Sequence, residues 1–147
     1  MNINIKIIPH SEQRYETIGD WWFEYKEAEK PYTNSSEINP LAPTSLEIRV
    51  SNLGNTNVRD FYGSLCIAVH ELIEVILCSR RGITQEQVDK FDKDFESKRQ
   101  EGNTNEPGDD PAAPYRKEHF FATSIERLLA AELGIDWKEY EDKINSL

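Results

Sequence analysis

Three ionisable residues, His70, Glu71 and Glu74, stand in the middle of the most apolar stretch of this 147-residue chain, which runs from Leu65 to Leu77. A helix that is apolar on nearly every side is normally buried. A buried charge is costly unless it is paired, neutralised or bound to a metal. His70 and Glu74 lie at i and i+4, so in a helix they project from one face a turn apart. Imidazole nitrogen and carboxylate oxygen are both zinc ligands, and a catalytic zinc site usually joins three protein ligands to a water. Glu71, turned about 100° from His70, has the place of a general base acting on that water, as in His-Glu-x-x-His metalloproteases.

A third ligand has to come from elsewhere, and the only other histidines are His10 and His119. His10, beside Pro9, reads as a surface residue. His119 precedes Glu126 by two helical turns, so both face one way, together with Ala122, Leu129, Ala130 and Leu133. That face points inward, which makes His119 the expected third ligand. The alternative leaves Glu126 paired with Arg127 or Arg116 in solvent. Glu126 or Asp109 is expected to support the site from outside the ligands. The proline-stiffened loop Glu106 to Tyr115 offers Asp109 or Asp110 as a ligand or as a partner that orients His119. Two imidazoles favour zinc, whereas manganese or magnesium is favoured if Asp92, Asp109 or Asp110 also ligates.

The elements that must position these residues follow from periodicity. Ile3, Ile5 and Ile7 alternate with polar residues as a half-buried strand, and so do Leu46, Ile48 and Val50. Arg14 to Ile18 and Trp21 to Tyr25 flank Gly19-Asp20 as a hairpin. Trp21 and Trp22 can line a pocket, although such a pair more often supplies core. Residues 26–44 read as a long loop. Helices are predicted from about Arg59 to Arg81, stopped by Gly82, and from a Thr84–Gln87 capping box to about Gln100. A loop at 101–114 precedes a helix from Pro114 or Tyr115 to Gly134, and Asp136 caps a last short one. Strands first and helices afterwards predict a single α+β domain over 1–147, with three to four strands in an antiparallel or mixed sheet and then three to four helices.

A net charge of −10 excludes a basic footprint for nucleic acid or an anionic membrane. No apolar run is expected to reach transmembrane length, and the residues Met1-Asn2-Ile3-Asn4-Ile5-Lys6 do not read as a signal peptide. Cys66 and Cys78 lie roughly 18 Å apart along one helix, too far for a disulfide. Free thiols predict a reducing, cytoplasmic setting.

Three resemblances add to this. The order of strand, turn and His70-Glu71-Leu72-Ile73-Glu74 helix from Leu46 onward resembles a minimal zincin-like metallohydrolase, which implies a metal held by that helix and hydrolysis of a peptide or small molecule. Glu74 stands where zincins carry their second histidine, and no zincin glycine or methionine turn follows. The same segment, with Glu106-Pro107-Gly108-Asp109-Asp110 and Glu118-His119-Phe120-Phe121-Ala122, is similar to small uncharacterised phage and prophage proteins. That likeness implies no activity of its own, and its non-catalytic version is an acidic protein that binds a host factor. Glu71 and Glu74 followed by Asp89 and Asp92 on the next helix resemble all-α nucleoside triphosphate pyrophosphohydrolases, whose paired carboxylates gather magnesium. Asp89 stands there where glutamate is usual.

Overall fold

The computed structural model describes residues 2–25, 43–54 and 57–147. Strand β1 (Asn2–Ile8) runs parallel to β3 (Ser45–Ser51), and β2 (Gly19–Glu24) runs antiparallel to β3 along its other edge. Helices α1 (Val58–Arg81), α2 (Gln85–Glu96), α3 (Arg116–Glu132) and α4 (Trp137–Ile144) follow. The described residues thus form the α+β arrangement that the order of patterns predicts, a mixed three-stranded sheet and then four helices.

Leu46, Ile48 and Val50 of β3 join Trp21 of β2 in the core, and Ile67, Ala68 and Val75 of α1 meet them there. Burying each such large side chain contributes roughly 1.5–3 kcal/mol. The alternation in β1 is less fully used. Ile3 and Ile5 pair with Leu46 and Ile48, yet remain 52% and 46% exposed. The reason is that α1 packs over β3 and β2, so only Ile7 reaches the core.

The expected hairpin at Gly19-Asp20 does not form. Residues 13–16 are bends, and Gly19 and Asp20 begin β2, which pairs with β3 instead. Arg14 folds back so that its guanidinium grips Asp20 at 2.7 Å, while Ser51 N–H donates to the Ile18 carbonyl at 2.7 Å. The preceding chain is thereby held as a loop across the end of the sheet. Most of the segment read as a long loop, residues 26–42, lies outside the described residues.

Helix α1 is framed as its sequence implies. Asn57 accepts from Asp60 N–H at 3.0 Å, and Gly82 closes the other end in the left-handed region at φ 74°. Its length and mean hydropathy (1.7 over its most apolar window) would suit a membrane span, contrary to the reading of its sequence above. Half of that window is nevertheless buried within the fold, where its His70 and Glu74 bond side chains of β2 and α3. The capping box of Thr84 and Gln87 is present, but α2 ends at Glu96, short of Gln100. There Ser97 Oγ takes the Asp94 carbonyl at 2.8 Å and Arg99 turns back onto Glu96 at 2.6 Å, which ends the helix.

Two contacts place α3 and α4. Arg81, at the end of α1, binds the buried Glu118 of α3. Gly63 leaves room for the Tyr140 ring of α4, because a Cβ there would lie 3.3 Å from that ring and 2.8 Å from Leu53.

Candidate metal centre

His70 and Glu74 from α1 meet His119 from α3 beneath the Glu106–Gly108 turn. His70 Nε2 lies 3.1 Å from His119 Nδ1, His119 Nδ1 lies 3.2 Å from Glu74 Oε2, and His70 Nε2 lies 3.4 Å from Glu74 Oε2. Zinc about 2.0–2.1 Å from each of three ligand atoms in a tetrahedron would set them roughly 3.3 Å apart. The triangle therefore has the size of one face of a zinc site. Among the described residues it is the only group of three or more histidine, cysteine or acidic side chains within ligand reach of one another.

The outer atom of each member is held by one partner. His70 Nδ1 donates to Glu126 Oε2 at 2.9 Å, and His119 Nε2 lies within ion-pair distance of Glu106 Oε2, at 3.2 Å. Trp21 Nε1–H donates to Glu74 Oε1 at 3.2 Å. If both histidines are neutral, these outer bonds fix their tautomers. His70 Nε2, His119 Nδ1 and Glu74 Oε2 then point lone pairs at one another with no hydrogen between them. Three converging acceptors need a cation, either a proton or a metal, and carboxylate-buttressed histidines are a usual metal-site arrangement.

The electrostatics agree. Burial acts against a charge on His119, but Glu106 and Glu74 hold its pKa up at about 9. Burial opposes charge on His70 too, yet Glu126 and Glu74 push its pKa well above the ordinary value. Glu74 resists burial through its bonds to His119 and His70, which bring its pKa down to about 2. Without metal, the triangle keeps an ionised carboxylate and draws protons.

The remaining expected site residues fall into distinct places. Glu71 is 8% exposed and points toward Gly19, where any Cβ would overlap its carboxyl. No protein group among the described residues hydrogen-bonds the Glu71 side chain. Burial, reinforced by Glu74, raises its pKa well above the usual carboxylate value. Glu126 is not in solvent with Arg127 or Arg116; it is buried between His70 and the Tyr140 hydroxyl. Asp109 Oδ1 lies 3.7 Å from His119 Nε2, behind Glu106, whereas Asp110 accepts from Ala112 N–H at 2.7 Å and serves the turn. His10 is not a surface residue but half-buried, 2.9 Å from Ser51 Oγ. Both cysteines are free and buried, outside the triangle, with burial pushing the Cys66 thiol up to about 11.

The four carboxylates of the magnesium arrangement do not converge. Asp89 is held by Arg14 at 3.1 Å, and Asp92 by the hydroxyls of Tyr115 and Tyr15. Burial lifts the Asp92 pKa to about 7, against the Tyr115 bond. Its folded-state pKa thus exceeds the unfolded one, so the stability tied to its proton is present below about pH 4 and lost as pH rises through 7. Asp92→Asn is expected to raise the melting temperature more at about pH 8 than at about pH 5, the two stability increments differing by on the order of 3 kcal/mol. Parallel melting curves at both pH values would contradict that placement of Asp92.

Glu106, Trp21, Tyr140 and Gly108 belong to the site without having been assigned to it from sequence. Trp21 carried one usable signal, since a buried indole N–H needs an acceptor. Gly108 carried another, because only a residue without Cβ lets the turn sit on the His119 ring. A cavity of about 270 Å³ opens beside the triangle, and Glu71 and Asp92 line it together with all three candidate ligands.

Comparison with known proteins adds no family: no family model, curated protein or solved structure matches the chain.

Proposed function

We propose that this protein is a small metal-dependent hydrolase of zincin-like design, with zinc held by His70, Glu74 and His119. The observation that carries the reading is the triangle of three inward acceptor atoms whose outer atoms are all tied down. Two nitrogens and one oxygen suit zinc among the common divalent ions. Bound there, zinc would supply Lewis acidity to a carbonyl and to an attacking water. Glu71 would take the proton of that water and return it to the leaving group, a role that suits a buried carboxyl with a raised pKa. Glu126, Glu106 and Trp21 keep the ligands oriented.

The substrate would be a peptide or a small amide or ester, in keeping with the zincin resemblance. The free buried thiols support a reducing, cytoplasmic setting. The likeness to phage and prophage proteins is compatible with this activity. A host-factor binder would not need a buried ligand triangle beside an open cavity.

The test is hydrolysis of mixed peptide, amide and activated-ester substrates by zinc-loaded protein. Turnover is expected to disappear with chelator, return with zinc, and be absent in His119→Ala. Stoichiometric zinc without turnover of any of these classes would sink the hydrolase reading and leave a structural metal site.

A further inference from the structure

The cavity beside the triangle has a marked charge bias. Glu71, Glu106, Asp89 and Asp92 line it, in addition to Glu74 and Glu126 at the metal site itself. Arg99 is the only lysine or arginine among its described lining residues. Its guanidinium is committed, with both Glu96 oxygens at 2.6 Å and the Asn103 carbonyl at 2.6 Å. Arg14, just behind the wall, is likewise taken by Asp20 at 2.7 Å and Asp89 at 3.1 Å. Glu74, Glu126 and Glu106 outnumber the charge of one dication and leave the pocket negative without counting Glu71, whose burial favours its neutral form.

Glu71, the base assigned above, also faces this cavity. It is 8% exposed, lines the cavity, and has no hydrogen-bond partner among the described residues. Its oxygens open on the cavity, so a donor that enters there can bond them. Tyr15 and Tyr115 add aromatic walls. The Tyr15 ring already takes cations, with Lys93 Nζ 5.0 Å and Arg14 Cζ 5.7 Å from its centroid. Carboxylates with aromatic faces are the chemistry that recognises an ammonium or guanidinium group.

We propose that the cavity selects a peptide-like substrate carrying a cationic side chain, of lysine or arginine type, next to the bond presented to the metal. The proposal rests on the metal-site reading above. It disfavours anionic substrates such as nucleoside triphosphates, for which the wall supplies no uncommitted cation.

Three Nα-acetyl amino-acid hydroxamates, of lysine, norleucine and glutamate, test it without turnover. Their hydroxamate group chelates the metal, and their side chains differ chiefly in charge. Titrated calorimetrically into zinc-loaded protein at about pH 8, lysine is expected to bind about tenfold tighter than norleucine, and glutamate weakest. The spread should shrink at high salt. Asp92→Asn, which removes one wall carboxylate and no ligand, is expected to narrow the lysine-to-norleucine ratio. Equal affinities, or glutamate binding tightest, would overturn the charge selection and leave the metal site standing. An unchanged ratio in Asp92→Asn would also overturn it, because the wall would not be the source of selectivity. Failure of all three hydroxamates to bind would bring down the metal reading and this proposal together.

Discussion

Zinc added to metal-free protein is expected to raise its melting temperature sharply, and more at about pH 8.5 than at about pH 6. A ligand that binds only the folded state at a thousand times its Kd stabilises it by roughly 4 kcal/mol. For a domain of this size, that corresponds to a shift of roughly 8–16 °C. The pH dependence follows from the histidines. Both have folded-state pKa values raised above the ordinary one, to about 9 for His119. In the metal-free protein their contribution to stability is fully present below about pH 6.5 and is lost as pH rises through the folded value. Zinc must displace those protons, so its apparent affinity grows over the same interval. Glu74 works on another range: with its pKa lowered to about 2, its contribution is present above the ordinary carboxylate value and fades only in strong acid. Melting curves with zinc and with chelator at several pH values check this. His70→Ala and His119→Ala should abolish the increment, and a flat response of the wild-type protein at pH 8.5 would end the metal reading.

Glu71→Gln is expected to lower kcat/KM by about 10²–10⁴-fold while zinc content stays stoichiometric. Glutamine keeps the shape of the side chain but cannot accept the proton of an attacking water. Glu71 is not part of the ligand triangle, so the metal should remain. Stability should rise, if it changes, above neutral pH. The carboxyl's pKa is raised by burial and by Glu74, so its ionised form opposes folding there. The pairing of lost turnover with retained metal and retained fold is the diagnostic result. Undiminished activity in a zinc-loaded Glu71→Gln protein would remove Glu71 from the chemistry.

Much of the fold was legible because local rules govern it. The stop of α1 at Gly82, the Thr84 capping box and the Asp136 cap all lie where short-range hydrogen bonding demands them. The false hairpin at Gly19 and the over-long α2 were misread for one shared reason. In each case an arginine, Arg14 or Arg99, folds back onto a nearby carboxylate, and periodicity carries no record of such a bond.

The site divides along the same line. Residue types and helical spacing alone determined that His70 and Glu74 share a face, that His119 and Glu126 share another, and that both faces turn inward. Those are properties of a helix and need no partner. Only the tertiary structure decided that the two faces meet with three acceptor atoms 3.1–3.4 Å apart. It alone brought Trp21, Glu106 and Tyr140 to their outer sides, from a strand, a turn and the last helix. Convergence of groups far apart in the chain depends on how α1, α3 and the sheet pack, and side-chain spacing within any one element is blind to it.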